Sequence, residues 1–167
     1  MALNDLPARW NRLAALVAAA ATGFCGRALA DEAAPLNLGL VRMGRDIAFI
    51  DMGGVRREGS TAHLRVLRVL ETDTVIAGET YIGGWQALRA DCARRTVAVG
   101  PYTAMRAGGR LGPATGGFSR PRPWPADSAE GAAGRAACGL QHPMVTAHGI
   151  DEAIQAGREA LARAIAE

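Results

Sequence analysis

The chain has 167 residues, room for one ordinary domain, with 49% hydrophobic and only 5% aromatic residues. That composition excludes collagen, a long coiled coil and an outright disordered chain, and no apolar run reaches the ~20 residues of a membrane-spanning helix. All the positive charge is arginine, and its distribution along the chain decides what the formal charge of +3 means.

Residues 1–30 read as an export signal. Arg9 and Arg12 supply a basic start, Leu13 to Phe24 an apolar stretch too short to span a bilayer, and Ala28-Leu29-Ala30 a small-residue cleavage site. Phe24 is bulky where a lipoprotein signal at Cys25 needs a small residue, and the separated arginines favour the general secretory route. Removing Arg9, Arg12, Arg27 and Asp5 from 19 basic and 16 acidic residues leaves a net charge of +1. A nearly neutral chain is a poor electrostatic partner for nucleic acid, so none is expected. The predicted location is the periplasm or the outside of the cell, with no transmembrane segment after cleavage.

Cleavage also removes Cys25 and leaves Cys92 and Cys138. An even pair in an exported chain is most simply one disulfide; two separate buried thiols are the alternative.

Between Leu36 and Val99 the pattern is strand-like. Asp46 to Asp51 is an apolar run between acids, followed by a turn at Met52-Gly53-Gly54 and another at Arg56 to Ser60. His63 to Leu70 is Leu- and Val-rich, with Arg65 and Arg68 on opposite faces of a strand. Thr74–Ile76 and Thr80–Ile82 flank a turn at Ala77-Gly78-Glu79. From Trp85 to Cys92 alternation sets Gln86, Leu88, Ala90 and Cys92 on one face, and Trp85, Ala87, Arg89 and Asp91 on the other. Thr96 to Val99 is a further strand that Gly100-Pro101 should end. Short strands joined by tight turns predict an antiparallel sheet or a small open barrel, a mainly β (α+β) fold.

Gly100 to Pro125 holds six Gly and five Pro in 26 residues, so it reads as mostly loop, with at most a short strand at Tyr102–Arg106. Phe118, Arg120, Arg122 and Trp124 near its end pair aromatics with arginines and form a candidate binding loop. The plainer alternative is a Pro-stiffened connection with Trp124 packed back on the sheet. Asp127-Ser128 can cap a short helix running to Cys138. Asp151 to Glu167 is amphipathic, with Ile154, Leu161 and Ile165 on a stripe beside Ala153, Gly157, Ala160 and Ala164. It can pack on its own domain or mediate self-association. The organisation is therefore a signal over 1–30, a β domain over 31–140, and a linker with the terminal helix over 141–167.

Several spaced elements carry a family resemblance. Phe49-Ile50-Asp51 ends a strand in Asp, and Val55-Arg56-Arg57-Glu58-Gly59 makes a basic turn ending in Gly. Tyr81 leads to Asp91-Cys92-Ala93-Arg94-Arg95, and Trp124, Ser128 and Cys138 close the pattern. In this order they resemble the surface-adhesin protein E family. The resemblance implies an antiparallel sheet with a short helix tied to its concave face by a Cys92–Cys138 disulfide. It also implies an exported protein that binds other proteins, such as host matrix or plasma proteins. Residues 139–167 lie beyond the pattern, and no adhesive residue transfers position by position.

No catalytic set, cofactor or metal is expected. His142 and His148 offer two metal ligands and no third at a useful spacing. Asp51 and Asp91 would form a carboxylate pair only if their strands were neighbours; turn capping and ion pairing with Arg94 or Arg95 are the alternatives. Gly108 to Gly112 lacks the lysine and the strand–turn–helix setting of a phosphate loop. The function predicted is a non-enzymatic binding domain with a protein partner. The alternative is a periplasmic enzyme or enzyme inhibitor with a pocket on the sheet.

Overall fold

A computed structural model describes residues 36–44 and 47–166; the export signal predicted over 1–30 lies outside them. The fold is mainly antiparallel β, an open sheet with one helix on each face. The strands are β1 (Leu38–Arg42), β2 (Ile47–Asp51), β3 (Arg56–Glu58), β4 (Thr61–Ile76), β5 (Glu79–Asp91), β6 (Thr96–Arg106), β7 (Leu111–Thr115), β8 (Arg122–Pro123) and β9 (Thr146–Ala147). The helices are α1 (Ala129–Ala137) and α2 (Ile150–Ala166). Strand order is β7-β6-β5-β4-β2-β1-β9, with β3 continuing the β2 flank of β4 and β8 the β7 flank of β6.

Period-two alternation divides the apolar residues between the two faces. Ala48, Ile50, Ala62, Leu64, Val66, Leu88, Ala90 and Val97 pack with the alanines of α1. Ile47, Phe49, Leu67, Val69, Trp85 and Met105 pack with Ala153 and Leu161 of α2. The four consecutive apolar residues of β2 are fully buried because both of its faces are covered. Arg65 and Arg68 do point to opposite faces: Arg65 pairs with Asp51 on one, and Arg68 with Glu130 of α1 on the other.

β4 and β5 form the longest hairpin. Ala77 (φ 50°) and Gly78 (φ 80°) make its two-residue turn, both in the left-handed region that matches strand twist. The strand expected to stop at Gly100-Pro101 does not stop. β6 runs through, and these two residues bulge opposite Ala87, where the register passes from Leu88↔Val99 to Gln86↔Tyr102. Proline has no N–H to give to the ladder, and a bulge is where that lack is tolerated. The buried Gln86 side chain fills in, its amide donating to the Gly100 carbonyl and, at 3.2 Å, to that of Pro101. More of 100–125 is therefore strand than its Gly and Pro content suggests.

Helix α1 starts where expected. The Ser128 hydroxyl accepts from Gly131 N at 3.0 Å, and Cys138 at its end is bonded to Cys92 at the end of β5. Arg57 of β3 donates to the Ala137 carbonyl, satisfying one of the orphan acceptors at the helix C-terminus. Alanine and glycine give α1 a thin profile, and its two glycines and nine-residue length leave it little helix strength of its own; the disulfide and the sheet hold it.

Residues 141–149 carry β9, which pairs with β1, and α2 then docks on its own chain. Its buried residues are Ala153, Gly157 and Leu161, whereas Ile165 is exposed. The contact is centred on the small residues because α2 lies close against Ile47 and Phe49. Arg158 fastens it to β4 by donating to the Leu70 carbonyl at 3.1 Å and pairing with Asp73.

Candidate functional site

The sheet face that carries α2 is covered by that helix around β9, β1, β2 and the adjoining part of β4. Toward the other end of β4 and β5 the same face bears polar side chains and forms a cleft of about 570 Å3. Register builds it. His63 of β4 pairs with Arg89 of β5, and Arg89 with Ala98 of β6; the next row is Thr61, Asp91 and Thr96. Directly opposed residues share a face, so both rows open into the cleft. A volume of this size suits a bound side chain or small molecule.

The roof comes from the segment after β7. Ser119 N donates to the Val99 carbonyl at 2.7 Å, and the Ser119 hydroxyl accepts from Val99 N at 3.0 Å. This fixes Phe118 over Gly100, where any β-carbon would strike the ring. The Arg89 guanidinium carbon lies 3.8 Å from the Phe118 ring centre, a cation–π stack.

The remaining charges in the cleft are matched. The Asp91 carboxylate accepts from the backbone N–H of Ala93 at 3.0 Å and Arg94 at 2.9 Å. The bond from Arg94 N is the largest influence holding its pKa below the usual carboxylate value, with the Arg94 guanidinium, 3.6 Å away, and Ser60 adding to it. His63 Nε2 lies 3.4 Å from Glu58. Among the described residues, no carboxylate comes within ion-pair distance of Arg89.

The predicted loop residues separate. Phe118 lines the cleft, and Arg120 is exposed beside it. Arg122 pairs with Val97, whose side chain faces α1, so the register sets Arg122 on the opposite side. Trp124 packs back: half-buried in the α1 core, it donates its indole N–H to the Thr96 carbonyl at 3.0 Å.

The carboxylates do not pair with each other. Asp51 is buried, accepting from Gly54 N at 3.1 Å and from Arg65 Nε at 2.7 Å, while Arg65 lies 4.4 Å above the Trp85 ring. Asp91 sits opposite Thr61, four residues further along β4 and on its other flank. His142 and His148 are exposed, and His148 N donates to Glu152 at the start of α2, so this histidine belongs to a helix entry. Among the described residues no group of three His, Cys, Asp or Glu is placed to hold a metal ion, and no helix is long and apolar enough to cross a membrane.

The sequence singled out Phe118 but not its mate. Arg89 was visible as one of four residues on an alternating face; the register that puts it opposite His63 and beneath Phe118 was not. Comparisons with protein families, curated proteins and solved structures returned no match.

Proposed function

We propose that this chain is an exported, non-enzymatic binding domain of the bacterial envelope, processed after Ala30, that presents the cleft to a protein partner. The observation that carries this reading is the Arg89–Phe118 stack in an open cleft whose candidate reactive groups are already engaged. The Ser119 hydroxyl is bonded to backbone at Val99 and Arg120, and His63 faces Glu58 rather than a nucleophile. A stacked arginine beside a half-exposed aromatic ring is a common composition of protein-binding surfaces. The leader, the Cys92–Cys138 disulfide and the resemblance to the surface-adhesin protein E family support export and a protein ligand.

The test is expression of the full chain in a Gram-negative host and recovery from its envelope. A non-reduced mass that begins at Asp31 and lacks two hydrogens is the expected result. Cross-linking of the recovered protein in envelope or host-matrix extracts should then yield a defined partner. A mass that retains the leader, or shows two free thiols, overturns the exported-domain reading.

A further inference from the structure

The cleft face carries two arginine–aromatic stacks, and they differ in one respect. Arg65 lies over Trp85 and is completed by the buried Asp51 carboxylate at 2.7 Å. Arg89 lies over Phe118 in the same manner, yet among the described residues it makes no hydrogen bond and no ion pair. We propose that Arg89 is a carboxylate-binding point, and that its occupant is a Glu- or Asp-bearing segment of a partner protein laid across the cleft. This rests on the binding-domain reading above and names the chemistry of its ligand.

Three observations support that occupant. First, stacking engages the face of the guanidinium and leaves its in-plane N–H fork without an acceptor, the part that takes a carboxylate in two parallel bonds. Second, the carboxylates of the cleft are placed away from Arg89. Arg94 is held by Asp91 and His63 faces Glu58, so Arg89 is the lining arginine with no carboxylate of its own. Third, the cleft is open and Phe118 is 40% exposed above it, so a chain segment can place apolar atoms on the ring while its carboxylate reaches Arg89.

The experiment follows arginine Nε–H resonances of the 15N-labelled, disulfide-intact protein. The probes are a capped peptide of alternating Glu and Ala, the same peptide with Gln, and sodium acetate at equal carboxylate concentration. The expected result is a saturable shift of the Arg89 resonance with the Glu peptide, little with the Gln peptide, and an unmoved Arg65. Arg89→Gln should weaken Glu-peptide binding about tenfold or more. Arg89→Lys, which keeps the charge but loses the fork, should fall between. Because Arg65 reports on the folded sheet, its unchanged resonance certifies each variant. A silent Arg89, equal binding of the Gln peptide, or wild-type affinity in Arg89→Gln overturns the proposal. So does acetate saturating the site as readily as the peptide, which would make it a small-carboxylate site. If wild type and Arg89→Gln cross-link the same envelope partner equally, the carboxylate site falls and the binding-domain reading stands. If the Glu peptide binds at Arg89 but the chain keeps its leader, the reverse holds.

Discussion

A β-carbon on Gly157 would sit 2.7 Å from Ile47 Cγ2 and 3.0 Å from Phe49 Cε2, so α2 approaches β2 as closely as a glycine allows. Glycine costs a helix interior about 1 kcal/mol relative to alanine, which is the amount Gly157→Ala would ordinarily regain. Here the added methyl must push α2 away from two fully buried side chains, and overpacking of this kind costs about 1–3 kcal/mol. Gly157→Ala should therefore lower the urea midpoint. Gly117→Ala, with nothing within 4 Å, should leave it nearly unchanged.

Asp51 holds a turn and an arginine together. Its carboxylate is 3% exposed and accepts from Gly54 N and Arg65. Asp51→Ala leaves that N–H without its side-chain acceptor and the guanidinium unmatched. Because Arg65 is about half exposed, water compensates part of the loss, and a cost of about 1–3 kcal/mol is expected in denaturant unfolding.

Asp91 gives a pH signature. Its folded-state pKa is depressed below the ordinary value of 3.8, first by the Arg94 backbone N–H. A depressed carboxylate pKa adds stability that is complete above the unfolded-state value and disappears as pH falls through the folded-state one. Urea midpoints of wild type and Asp91→Asn, measured from neutral pH downward, should differ by a constant amount until pH nears 3.8 and converge below it. An envelope activity abolished by Asp91→Asn at unchanged stability would instead favour the enzyme reading.

Ala77 is a place to gain stability. An L-residue with a β-carbon at φ 50° is strained, and Asn is better tolerated in that conformation within a two-residue hairpin turn. Ala77→Asn should raise the thermal midpoint.

The disulfide closes a long loop. Cys92 and Cys138 are 46 residues apart, and the chain-entropy argument assigns such a closure about 4 kcal/mol. Reduction should lower the unfolding free energy by up to that amount and weaken protection of the α1 amides first. Hydrogen exchange before and after reduction reads this directly.

Much of this architecture was legible in residue order. Alternation from Trp85 to Cys92 separated the residues that pack on α1 from those that face α2 and the cleft. Ser128 marked the start of α1, and Cys92 with Cys138 its tether. What escaped was non-local. Gly100-Pro101 signals a strand end in any local reading, and only the Gln86 side chain across the sheet makes a bulge there satisfactory. The site escaped for the same reason. Phe118 and Arg89 are 29 positions apart, and nothing short of the β5–β6 register and the Ser119–Val99 bonds says that they stack. Trp124 and Phe118 lie six apart in one Pro-rich stretch, a spacing that a continuous strand would put on one face, but they serve opposite faces because residues 116–121 between β7 and β8 are not strand and break the alternation.

The flanks of the sheet have a consequence for behaviour in a crowded compartment. A row of free N–H and C=O groups along an outer strand is a template on which another copy can add, the route to fibrillar aggregates. One outer strand here, β9, is two residues long, and the other, β7, is interrupted by Pro113, which has no N–H to offer. Both ends of the strand order are thereby blunted, and the ladder left open among the described residues is the outer side of β4 beyond Val69, which pairs with β5 alone. Pro113→Val should raise the rate at which thioflavin-positive fibrils form at millimolar concentration, by restoring an unbroken outer strand at β7.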